Sequence, residues 1–174
     1  YNTSCFIVDG IIQGFTAKQF LANDGVHYES RWFTPWECGK QITFEIGGHP
    51  YTFGDVIYEL NDKKIGFEIC EDAWCENRPA ITFAKQQVDY ILNPSASHFA
   101  FGKTKTREQL VIDSSKNFDC TYIYSNLLGN EAGRMIYDGE VLIASKGKLT
   151  AKNNLFSFKK HNLCLLYTSD AADD

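Results

Sequence analysis

The chain has 174 residues, enough for one domain with a real core and too few for two large ones. Hydrophobic residues make up 44% and charged residues 22%, close to the globular average, and no apolar run reaches the roughly 18 residues of a bilayer span, so disorder and membrane insertion are set aside. With 17 basic against 22 acidic residues the net charge is −5, without the basic excess that a phosphate backbone demands, which argues against nucleic acid as the main partner.

Tyr1 lies in a strand-like run with no basic-then-apolar leader, and an internal fragment is expected. Cys5–Val8 and Ile11–Phe15 flank Asp9-Gly10, a strong hairpin signal, and Lys18 follows the second strand's exit. A loop with Asp24-Gly25, Pro35 and Gly39 leads to Ile42–Ile46, whose alternation predicts a half-buried strand. Gly47 to Pro50 turns the chain, and Tyr51–Leu60 reads as strand with a weak interruption at Gly54-Asp55. After an Asn61-Asp62 turn, Ile65–Cys70 is a strand that ends on a cysteine. Asn77 is expected to cap a short helix with Pro79 in its first turn. The strand Val88–Leu92 opens into the loop Asn93–Ser97, and Thr106-Arg107-Glu108-Gln109 has capping-box spacing for a helix running to about Phe118. Then come the strand Thr121–Tyr124, the loop Asn126–Glu131, turns at Asp138-Gly139 and Lys146-Gly147, and a last strand at Leu155–Phe158. Helices between central strands, with hairpins at both ends, predict an α/β fold with a mixed sheet.

Residues 164–174, ending Asp-Ala-Ala-Asp-Asp, do not continue the preceding pattern. The string resembles one reading frame of a transposon-end adapter used in sequencing libraries. We set it apart as an adapter-derived tail, a natural acidic tail being the alternative, and take 1–163 as the domain.

Six cysteines are too sparse for a disulfide scaffold, and none has C-x-x-C spacing, which predicts a reduced, cytoplasmic protein. Cys70 stands between an apolar strand and an acidic, aromatic turn, Glu71-Asp72-Ala73-Trp74. Cysteines at strand ends are commonly inert packing residues, and the adjacent acids oppose a thiolate unless a cation compensates. Cys75, His49 and His98 do not make up a metal-ligand set, so no metal is expected.

Four stretches in order carry a resemblance: Lys18 to Phe33, Gly66 to Trp74, Asn93 to Lys103, and Tyr124 to Gly129 with Tyr137-Asp138-Gly139. The combination resembles the nitrilase superfamily of carbon–nitrogen hydrolases, and within it the glutaminase domain of glutamine-dependent NAD synthetases, over most of residues 1 to 163. The resemblance implies a four-layer α-β-β-α sandwich, incomplete at its N-terminal side, and a Glu-Lys-Cys triad. Cys70 matches its nucleophile, Lys18 its lysine and Glu29 an accessory glutamate. The triad's own glutamate is expected ahead of the lysine, where Asp9 is the only acid before Lys18, so the fragment alone is expected to be nearly inactive. Glutamine contacts are implied at Ser97, Lys103 and Glu71, whereas Asp24 stands where related domains commonly have a tyrosine. The resemblance also implies that ammonia passes to a synthetase domain using ATP and magnesium, absent from these residues, that this domain needs no cofactor, and that the intact protein is a homo-oligomer. Another nitrilase-type amidase, or a non-catalytic module with a buried thiol, stays open.

Overall fold

The computed structural model describes residues 1–131 and 135–165. β1 (Thr3–Val8) and β2 (Ile11–Ala17) form the expected hairpin, with Asp9 and Gly10 both at positive φ as its two-residue turn requires. β3 (Gln41–Ile46) and β4 (His49–Gly54) follow, and the four strands make a sheet ordered β1-β2-β4-β3 in which β2 and β4 run parallel. Every residue of β3 is exposed, so the expected half-buried strand is instead an open edge. Ile42, Phe44 and Ile46 do share one face, with Phe15 and Phe53, and Tyr1 and Trp36 pack over Phe53 while the three β3 side chains stay more than 40% exposed.

Tyr51–Leu60 is not one strand. The chain leaves the first sheet after Gly54 and re-enters a second one as β5 (Tyr58–Leu60). Gly54 sits at φ +129°, and a Cβ there would fall 2.3 Å from the Lys40 carbonyl and 2.7 Å from the Trp36 indole nitrogen. No other residue fits that corner.

The second sheet comprises β5, β6 (Lys63–Phe67), β7 (Tyr90–Ser95), β8 (Thr121–Asn126), β11 (Val141–Ser145) and β12 (Lys148–Lys152), in the order β12-β11-β8-β7-β6-β5. β6, β7 and β8 are parallel, joined through α1 (Ala80–Lys85) and α2 (Lys103–Asn117), and the outer strands are antiparallel. A separate ribbon pairs β9 (Leu128–Asn130) with β10 (Ile136–Asp138).

Both helices lie on one face of the six-stranded sheet, where Ala80, Phe83 and Val111 pack with Val88, Ile91, Tyr122, Tyr124 and Leu142. The opposite face meets the first sheet through Phe6 against Tyr58 and Phe67, and through a 3.1 Å hydrogen bond between the Thr16 and Tyr58 hydroxyls. The described residues thus build an α layer and two β layers of the sandwich that the resemblance implies.

Several local expectations change: of the expected loops, Asn93–Ser95 belongs to β7 and Leu128–Asn130 forms β9. Asn77 does not cap α1: Pro79 occupies the cap position, and the Glu68 carboxylate, reaching from the end of β6, accepts the Ala80 N–H at 2.9 Å. α2 begins at Lys103, not Thr106, because Gly102 at φ +82° turns the chain into the helix three residues earlier. Leu155–Phe158 is irregular, with Phe156 donating its N–H to the Asp138 carbonyl. Of the tail, Cys164 is half-buried and Leu165 exposed, while 166–174 lie outside the described residues.

Candidate active site

The parallel strands β6, β7 and β8 end at the same edge, the place where open α/β sheets present ligand sites, since loops fan apart there over exposed backbone. Cys70 begins a short 3-10 turn (Cys70–Trp74) directly after β6 and takes a left-handed backbone, φ +51°. That sharp exit lifts a half-buried thiol above the strand end.

Lys18 arrives from the other sheet. Its side chain is 1% exposed and donates to Glu29 Oε2 at 2.5 Å. Glu29 also accepts the Ala22 N–H at 2.7 Å and the Asn2 amide at 2.9 Å. Burial pushes the Glu29 carboxyl up, but the hydrogen bonds from Lys18 and Ala22 and the lysine's charge outweigh it and hold the group below the ordinary carboxylate range. A buried ammonium needs such a partner to stay charged.

Lys18, Glu29 and Cys70 line one cavity of about 600 Å³, with Val26, Tyr28, Trp32, Phe33 and Met135 on its apolar walls. Ser97, Lys103 and Glu71 do not line it. They border an adjoining pocket of about 300 Å³ together with Asp24 and His98, and the two cavities meet at Cys70, Ala22 and His27. In the smaller pocket burial and the charge of Asp24 push the Glu71 carboxyl up. Burial and repulsion from Arg107 hold Lys103 below the usual lysine range, and its ammonium donates to the His98 carbonyl at 3.2 Å. His27 and His98 bridge the two loops through their ring nitrogens at 3.1 Å.

Several residues behind this site drew no functional reading from the sequence. Arg107, fully buried on α2, pairs with Asp138 at 2.6 Å and Glu140 at 2.8 Å and donates to the Ser97 carbonyl at 3.0 Å. Asn126 grips the same residue from β8, accepting the Ser97 N–H at 2.8 Å and donating to its carbonyl at 2.9 Å. Behind β6, Glu68 is hydrogen-bonded to Arg78, Tyr122 and the α1 terminus, and Tyr122 accepts from Asn93. Asp72 accepts backbone N–H groups from Gln19, Phe20 and Ile69. Burial pushes its carboxyl up to about 7 in spite of those donors. Capping-box spacing at Thr106-Arg107 drew attention to helix initiation and away from Arg107 as a buried ion. The other thiols are poor nucleophiles where burial raises them: Cys75 is pushed up by burial and by Glu71 and Asp72, and Cys120 to about 12 by burial and Glu68.

A glutamine-dependent NAD(+) synthetase of Cytophaga hutchinsonii has a solved structure 55% identical to this chain, with a TM-score of 0.87 over 95% of it and 27% of that protein. The glutamine-dependent NAD+ synthetase of Acinetobacter baumannii, solved with adenosine diphosphate, is 26% identical with a TM-score of 0.72, over 90% of this chain and 27% of that one. Among curated relatives, the Saccharomyces cerevisiae glutamine-dependent NAD(+) synthetase is 32% identical over 166 residues, which are 90% of this chain and 23% of the relative. The chain therefore spans about a quarter of the length of the relatives it matches. The family model for carbon-nitrogen hydrolases matches residues 1–160, nearly the whole described fold. On that match, which takes in every strand and helix that meets at Cys70, the chain belongs to the carbon–nitrogen hydrolase family.

Proposed function

We propose that this chain is the glutamine-hydrolysing part of a glutamine-dependent NAD synthetase, with Cys70 as its nucleophile. The observation that carries the reading is the position of Cys70 at the junction of two cavities, one holding the Lys18–Glu29 ion pair and the other flanked by carboxylates and a lysine. The smaller pocket suits the head group of an α-amino acid. Glu71 and Asp24 repel one another there, and a bound ammonium relieves that repulsion. Lys103, the first residue of α2, meets the α-carboxylate at the positive end of the helix dipole, with Ser97 beside it.

The carboxamide carbon then lies over Cys70. Its attack forms the C–S bond, and the oxyanion faces the Lys18 ammonium and a backbone N–H after Cys70. The C–N bond breaks, ammonia leaves with a proton, and a thioester remains; water adds, the C–S bond breaks, and glutamate departs as the thiol regains its proton. Glu29 holds Lys18 in place. The proton-carrying base is the glutamate that the family resemblance sets ahead of the lysine, and Asp9, in the β1–β2 turn, is not assigned that role. In the whole protein the ammonia serves a synthetase domain that uses ATP and magnesium to amidate deamido-NAD. This domain itself is assigned no metal or cofactor, and the protein is assigned to the cytoplasm as a homo-oligomer. Residues 164–174 are assigned to an adapter-derived tail.

The apolar walls of the larger cavity suit a second reading, hydrolysis of a different, less polar amide by the same thiol. In the whole-length protein, glutamate release from glutamine should exceed turnover of asparagine or an aliphatic amide and should vanish in Cys70→Ala. Faster turnover of the aliphatic amide would favour the second reading, and glutamate release that survives Cys70→Ala would end both.

A further inference from the structure

Lys18 leaves β2 of one sheet and Cys70 leaves β6 of the other, and no ladder hydrogen bond joins those two strands. Their relative placement must come from contacts across the seam. Asp72 makes such contacts. Buried to 1% exposure, it accepts the Gln19 N–H at 3.0 Å and the Phe20 N–H at 2.7 Å on Oδ1, and the Ile69 N–H at 2.8 Å on Oδ2. The first two donors follow Lys18 directly, and the third immediately precedes Cys70.

We infer that Asp72 is a positioning residue: its carboxylate clamps the backbone after Lys18 to the turn that starts at Cys70 and so sets where the ammonium meets the thiolate. This rests on the proposed function only in taking Lys18 as the partner of Cys70. The donor set explains why the residue is an acid. Both oxygens are occupied from different segments, and asparagine would turn an N–H donor towards one of them. The choice also works against the chemistry, because a carboxylate two residues from the thiol opposes its ionisation. Charge and position thus predict opposite signs for a neutral variant. With the charge effect alone, Asp72→Asn speeds alkylation of Cys70; with the clamp, it slows it.

The test is the rate at which iodoacetamide alkylates Cys70 in the chain at pH 8, read by mass spectrometry of the Cys70 peptide, in wild type, Asp72→Asn, Lys18→Met and the double variant. Val111→Ala, on the buried face of α2, serves as a control for loss of stability. We expect Asp72→Asn to slow alkylation about tenfold, and the double variant to be no slower than Lys18→Met, because both lesions remove one partnership. Faster alkylation in Asp72→Asn would overturn the inference. So would multiplicative slowing in the double variant, or an equal slowing in Val111→Ala at matched melting temperature. An unchanged rate in Lys18→Met would strike at the proposed function itself, and the inference would fall with it.

Discussion

Cys70 holds a left-handed backbone that costs a non-glycine residue about 1–2 kcal/mol, and the polar contacts around its turn offset that cost. Asp72 is prominent among them, and its burial has a consequence for stability. Its carboxyl moves from 3.8 to about 7 on folding, with burial as the main cause and the three N–H donors and Lys18 opposing it. The native state therefore holds this proton more tightly than the unfolded chain. The contribution to stability is fully present below about pH 4 and is lost as pH rises through about 7. Between pH 5 and 8 the urea midpoint of wild type should fall more than that of Asp72→Asn, whose side chain does not titrate. Parallel slopes for the two proteins would show that Asp72 is already ionised at pH 5.

At the scale of elements, α1 is held by tertiary contact. It has six residues, too short to persist alone, and its first free N–H is taken by Glu68 from β6. The same carboxylate, with no exposed surface, is paired with Arg78 and accepts the Tyr122 hydroxyl at 2.8 Å. Glu68→Gln leaves the guanidinium without its counter-charge beside the sheet, and should destabilise the chain by about 3–5 kcal/mol in denaturant unfolding. Because Glu68 lies two residues before Cys70, the loss should extend to the turn that carries the thiol. A cost below about 1 kcal/mol would mean that Arg78 finds water instead.

Over the whole molecule, the two sheets differ in cover. Helices shield the six-stranded sheet, while the outer face of the four-stranded one leaves Ile7, Ile42, Phe44 and Ile46 each more than 40% exposed. Exposed apolar side chains of this kind bind hydrophobic dyes and promote association. Ile7→Thr with Ile46→Thr should reduce anilinonaphthalene sulfonate fluorescence of the chain and shift its melting temperature little, since both side chains are already about half exposed. Unchanged fluorescence would place the dye elsewhere.

The sequence by itself determined the elements whose signals are local. The Asp9-Gly10 and Asn61-Asp62 turns need only residues that tolerate positive φ, and the short apolar runs that flank Asp9-Gly10 are enough to mark its two strands. Motif order nominated Lys18, Glu29, Cys70, Ser97, Lys103 and Glu71 as candidates, and the structure divides them between two cavities that meet at Cys70. Only the tertiary structure decided that Gly54 ends one strand and sends the chain to another sheet, that Glu68 and not Asn77 caps α1, and that Asp72 and Arg107 brace the site from behind. Gly54 answers to a close approach by Lys40 and Trp36, and Glu68, Asp72 and Arg107 share another reason. A buried ion is made tolerable by partners 10 to 54 residues away in the chain, and no local pattern of polarity encodes which distant N–H or carboxylate will meet it.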